Sequence, residues 1–284
     1  MSIDHYENFP VASWLCPPAL RPAIVAIYRF ARTADDIADE GQASPAKRLA
    51  LLADYRQALL RAADGDDTHG QWQEVFAPLS VVIGKHRLPV PLLTDLLSAF
   101  AQDTGNPLYP DRVALLDYCA RSANPVGRLL LHLAGITDRN ALAQSDAVCT
   151  GLQLINFWQD LSIDLPRGRV YVTAADAARF GLDARQLQAG ADSDASRALL
   201  RSLVAWARDT MHVGSALVHR LPGRMGWELR FVVQGGLRVL EKIEVAGCNA
   251  LSQRPTVTKA DLPLLGWRAW RMKLPGLSPA ALHS

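Results

Sequence analysis

Leu152-Gln153-Leu154-Ile155-Asn156-Phe157-Trp158-Gln159-Asp160-Leu161-Ser162-Ile163-Asp164 is the run that decides the fold. Gln153, Asn156, Asp160 and Asp164 are spaced three, four and four, so on a helix they form one row. Leu, Ile, Phe and Trp cover nearly every other direction. A helix apolar almost all round belongs in a core. Its polar row must then line an internal cavity, because a buried charge without a partner is very costly. A solvated outer face would be the simpler reading, and the breadth of the apolar sector argues against it.

A second acidic stretch, Asp35-Asp36-Ile37-Ala38-Asp39-Glu40, also pairs aspartates four residues apart. At about 5.5 Å and an effective dielectric near 20, two such charges repel by roughly 3 kcal/mol. Acidic residues at a helix C-terminus also oppose the macrodipole. Two stretches that carry this cost point to a bound cation. Carboxylates without histidine or thiolate favour a hard one such as Mg²⁺. Arg167-Gly168-Arg169-Val170-Tyr171 follows the second pair directly, and Arg32 with Tyr28 precedes the first by one and two turns. Guanidinium groups beside such a site suit a phosphate-rich ligand.

The rest of the chain agrees with a helical protein. Strand signals are weak, since Val81-Val82-Ile83 is too short to count, and helical periodicity is nearly everywhere. The spacing predicts helices over 19–40, 45–63, 89–102, 111–121 and 126–134, with a break at Ser122-Ala123-Asn124-Pro125. A long helix runs from a cap at Thr137 or Asp138 to Asp164. Thr173 caps a short helix with Asp176, Asp194 caps one over 195–220, and the last long one covers 225–252. The expectation is one all-α domain of about ten helices over 1–284, with a tail from about 261. With 284 residues and 49% apolar content the chain can bury a sizeable core. A net charge of +2 does not suggest nucleic acid as partner. Four scattered cysteines and a polar, acidic N-terminus read as a reduced, cytoplasmic protein without a signal peptide.

Two D-x-x-x-D motifs in an all-α chain resemble a class I isoprenoid (terpenoid) synthase, with a cavity between the helices. The context Tyr28-Arg29-Phe30-Ala31-Arg32-Thr33-Ala34-Asp35-Asp36-Ile37-Ala38-Asp39-Glu40 is similar to the squalene/phytoene synthase family. So is Asn156-x-x-x-Asp160-x-x-x-Asp164 followed by Arg167-Gly168-Arg169-Val170-Tyr171, and the resemblance spans about residues 5 to 260. Glu7-Asn8-Phe9-Pro10-Val11-Ala12-Ser13 and Ser122-Ala123-Asn124-Pro125-Val126-Gly127 resemble the branch that forms hydroxysqualene from presqualene diphosphate and water. Arg121 stands where the head-to-head condensing enzymes carry tyrosine.

The resemblance implies that Asp35, Asp39, Asn156, Asp160 and Asp164 hold Mg²⁺. It implies that Arg32, Arg167 and Arg169 hold diphosphate, with Tyr28 and Tyr171 as hydroxyl donors. Gln153, Asn124, His5 and Phe9 line the substrate cavity, and Phe157 and Leu131 are candidate walls. The alternative within the family is condensation of farnesyl or geranylgeranyl diphosphate to squalene, dehydrosqualene or phytoene. No glycine-rich dinucleotide fingerprint follows a strand, although the family binds NADPH without one. A dimetal-carboxylate bundle would need Glu-x-x-His spacing, which the acidic helices lack. A non-enzymatic helical scaffold would not explain the polar row. Leu265-Gly266-Trp267-Arg268-Ala269-Trp270-Arg271-Met272-Lys273-Leu274 mixes tryptophan with basic residues. It suits a peripheral membrane contact, or a last helix that packs its tryptophans on the core.

Overall fold

The computed structural model describes residues 17–66 and 68–272, and every regular element in it is helical. The helices are α1 (Arg21–Asp39), α2 (Pro45–Asp64), α3 (Gln73–His86), α4 (Val90–Asp103), α5 (Arg112–Ser122), α6 (Asn124–Leu133), α7 (Arg139–Gln159), α8 (Leu161–Asp164), α9 (Ala174–Arg179), α10 (Ala184–Gln188), α11 (Asp194–Gly214), α12 (Gly223–Val245) and α13 (Leu262–Arg271). Pro at the first turns of α1, α2, α4, α6 and α13 fits a position whose N–H has no intrahelical partner. Asp111, Asp138 and Thr173 accept the N–H three residues on, as N-caps do.

The buried apolar side chains fall into two large clusters. One joins α1 to α4 around Phe30, Tyr55 and Phe76 and reaches Leu129 of α6. Its rings interlock, with Phe30 stacked on Tyr55 at 5.4 Å and the Tyr55 hydroxyl donating to the Phe30 carbonyl at 3.0 Å. The other joins α5, α7, α11 and α12 around Phe157, Trp158, Met211 and Leu240. The two helices α7 and α11 lie close enough that a Cβ on Gly214 would come within 2.5 Å of the Gln144 carbonyl oxygen. Helices α5 and α6 bridge the halves, packing on α4 on one side and α7 on the other.

Several expected boundaries shift. The long helix ends at Gln159, not Asp164, because Asp160 leaves helical geometry (φ −98°, ψ 10°) before the short α8. The break before α6 narrows to Ala123. Ser193, not Asp194, caps α11, through a reciprocal pair with Ser196. The segment holding Val81-Val82-Ile83 is helical. In α3, Phe76, Leu79, Val82 and Ile83 are buried, so packing overrides β-branching and the internal Pro78. Leu131 packs with Ala141 and Leu217 in a separate small cluster.

Candidate active site

The first acidic stretch occupies the last turns of α1. Arg32 lies 3.0 Å from Asp35, 2.8 Å from Asp36 and 2.9 Å from Glu40. Asp39 points elsewhere and meets Arg169 at 2.7 Å. A carboxylate-rich helix end leaves carbonyls that attract cations. Arg48 of α2 supplies one: its guanidinium donates to the Ala38 carbonyl, to Gly41 at 2.8 Å and to Ala43 at 3.0 Å. Tyr28 is half-buried one turn before Arg32.

The second stretch begins at the end of α7. The Asp164 N–H still donates to the Asp160 carbonyl at 2.9 Å, so the two aspartates stay one turn apart through the kink. Arg254 grips Asp160 with both ends of its fork, at 2.5 and 3.3 Å. Gln159 donates to the Pro255 carbonyl at 2.7 Å, so the segment after α12 lies across this motif. Asp164 is buried, and its carboxyl is pushed up to about 6. Burial is the main cause, Asp160 and Asp39 add to it, and Arg169 and Arg167 oppose it. Gly168 adopts φ +79°, the left-handed turn that brings Arg169 back so that its N–H donates to the Asp164 carbonyl at 3.0 Å. Arg167 is exposed on the flank.

A third group was not singled out from sequence. Asp103, the last residue of α4, accepts from the Tyr118 hydroxyl at 2.7 Å. Its other oxygen is buried with no hydrogen-bond partner. Burial pushes this carboxyl up to about 7, with Asp39 and Asp35 adding to the rise and Tyr118 and Arg169 opposing it. Tyr171 stacks on Phe157 at 3.8 Å and adjoins Tyr109 and Tyr118. Gln102 donates to Tyr109, and Arg121 donates to Gln102 at 2.7 Å. Asn124 accepts from Thr150 at 3.0 Å, which ties α6 to α7. Gln153 and Asn156 are half-buried on α7.

Asp35, Asp39, Asp160, Asp164, Arg32 and Arg169 are thus brought into one electrostatic neighbourhood, with Asp103, Tyr118 and Arg254 added to it. Asp103 carries a signal that sequence could have yielded: an acid at the C-terminus of an apolar helix opposes the macrodipole, as in α1. Arg254 lies in an irregular segment and has no local signal. His5 and Phe9 lie outside the described residues.

Each acidic motif is compensated by an arginine, and among the described residues no three acidic, histidine or cysteine groups are drawn together closely enough to hold an ion. The donor set nonetheless fits a hard divalent cation. It is all oxygen, and one oxygen of Asp103 is buried beside it without a hydrogen-bond partner.

A family model described as squalene/phytoene synthase matches residues 4–261. A hydroxysqualene synthase from Sinorhizobium fredii is 35% identical over 238 residues, covering 84% of this chain and 78% of the relative. Another from Rhodopseudomonas palustris is 32% identical over 250 residues, covering 87% and 82%. The crystal structure of squalene synthase HpnC from Alicyclobacillus acidocaldarius superposes with a TM-score of 0.79 at 35% identity, over 86% of this chain and 90% of that one.

Proposed function

Because this chain belongs to the squalene/phytoene synthase family, we propose that it is a hydroxysqualene synthase acting as a single domain. It converts presqualene diphosphate and water to hydroxysqualene and diphosphate, within squalene and hopanoid formation. One observation carries the site assignment: the Asp39–Arg169 pair, which links the helix of the first motif to the turn behind the second.

In this reading Asp35, Asp39, Asn156, Asp160 and Asp164 would hold Mg²⁺, which would supply positive charge for the departing diphosphate. Arg32, Arg167 and Arg169 bind diphosphate oxygens through charge-assisted hydrogen bonds, and Arg254 is positioned to join them. Tyr28 and Tyr171 donate hydroxyls on the same side. As the C–O bond breaks, its electron pair leaves with the diphosphate, and preorganised donors stabilise that charge in a low-dielectric site. Gln153 and Asn124 line the apolar remainder, which the family resemblance also assigns to His5 and Phe9, outside the described residues. The stacked Phe157 and Tyr171 rings form part of the apolar packing behind the acidic groups. Dry walls keep stray water away until one molecule adds its oxygen to the cation and gives up a proton.

The test is product formation from presqualene diphosphate with Mg²⁺ and no nicotinamide, compared with farnesyl diphosphate under the same conditions. Turnover of farnesyl diphosphate alone would overturn the reading. A lipid substrate also fits a cytoplasmic protein that touches the membrane peripherally. Among the described residues no helix is long and apolar enough to cross a membrane.

A further inference from the structure

Helix α13 carries an exposed aromatic face that catalysis does not use. Its inward side is anchored to α12. Leu265 and Ala269 are buried, and Arg268 pairs with Glu241 at 2.5 Å. At its start, Asp261 is gripped by Lys242 and Arg238, with the Thr258 N–H also donating, and this holds the Asp261 carboxyl well below the usual range. Near its end, Gln234 donates to the Met272 sulfur at 3.1 Å.

The opposite side is different. At 100° per residue, Leu262, Gly266, Trp270, Pro263 and Trp267 fall in one continuous sector. Leu262 is 53% exposed, Trp267 53% and Trp270 50%. The two indoles stack on each other at 5.6 Å and do not insert into the core. Arg271 borders the sector, with its guanidinium 5.5 Å from the centre of the Trp267 ring. Two carboxylates beside this helix, Asp261 and Glu241, are both taken up by the anchoring arginines and lysine. The face is therefore aromatic, apolar and cationic at its edge. Indoles favour the boundary between headgroups and acyl chains, and an arginine at that level favours anionic headgroups.

We propose that the outer face of α13, built on Leu262, Trp267, Trp270 and Arg271, docks the enzyme on an anionic lipid bilayer. This deepens the peripheral contact inferred above and rests on that reading. Charge complementarity selects the occupant: with Asp261 and Glu241 paired inward, the edge of the face carries the Arg271 cation, which a phosphatidylglycerol surface complements.

The experiment is co-sedimentation of the full-length chain with vesicles of phosphatidylcholine alone and of phosphatidylcholine mixed with phosphatidylglycerol. Wild type is expected to bind the anionic vesicles and to lose binding as salt rises. Trp267→Ser with Trp270→Ser is expected to cut partitioning at least about tenfold. Its melting temperature and its turnover of detergent-dispersed substrate should stay unchanged, so a failure of docking is separable from a failure of catalysis. Should the double variant unfold, Arg271→Glu decides, because it reverses the ring-edge charge and leaves both indoles in place. It is expected to weaken binding to anionic vesicles and spare neutral ones. Equal binding by wild type and the variants, or no binding by wild type, would overturn the proposal. So would a wild-type dimer that the tryptophan variant dissociates while vesicle binding is unchanged.

Discussion

Arg169 Nη2 lies 2.7 Å from Asp39 Oδ1. This contact joins the turn after the second aspartate pair to the last turn of the helix that carries the first. The same arginine moderates the raised carboxyls of Asp164 and Asp103. One guanidinium thus faces three carboxylates contributed by α1, α4 and α8.

Arg169→Gln is expected to lower kcat/KM by roughly a hundredfold, the scale of losing one preorganised charge-stabilising group. Stability should change by no more than about 1 kcal/mol, because both partners keep some solvent access. Steady-state kinetics beside thermal melts check this. A large loss of stability with little loss of turnover would make the residue structural.

Without metal, stability should fall as pH rises. Asp103 titrates near 7 and Asp164 near 6 in the folded protein, against an ordinary value of 3.8. Between those limits the folded chain holds more protons than the unfolded one, so raising pH favours unfolding. Urea titrations with chelator present, from about pH 5 to about pH 7.5, should show this decline. Asp103→Asn should flatten its upper part. A decline of equal slope in the variant would show that Asp103 does not carry it.

Mg²⁺ with inorganic diphosphate should raise the melting temperature, and more so at neutral pH than at about pH 5, because carboxylate ligands bind metal only when deprotonated. Asp35→Ala and Asp160→Ala should each remove most of that rise and most of the turnover. Near wild-type behaviour in both would contradict a metal site shared by the two motifs.

Gly214→Ala should destabilise by about 1–3 kcal/mol, since the added methyl meets main chain that cannot rotate away. Its Cβ would sit 2.7 Å from the Val148 nitrogen as well as 2.5 Å from the Gln144 carbonyl oxygen. Chemical denaturation measures the loss.

The apolar surround of the polar row made α7 legible as a core helix, and the like-charge pairs marked the two acidic stretches that Arg169 links across the fold. Both signals are local. The turn at Asp160 was not, because the backbone departs from helix while its hydrogen bond to Asp164 persists. Asp103, Arg48 and Arg254 act across the fold, on Tyr118, the α1 carbonyls and Asp160, and periodicity along one helix cannot reveal such partners. Helix α3 was hidden by Pro78 and its β-branched run, whose helical state comes from packing on α1 and α2. The tryptophans of α13 left two readings open, and their half-exposed positions set aside the one that buries them.

The central claim concerns the fate of the cation after diphosphate leaves. The most direct test is to incubate the enzyme with presqualene diphosphate and Mg²⁺ in heavy-oxygen water, without nicotinamide, and to analyse the product by mass spectrometry. The account predicts hydroxysqualene carrying one heavy oxygen. A product without the label, or squalene formed only when NADPH is added, would contradict it.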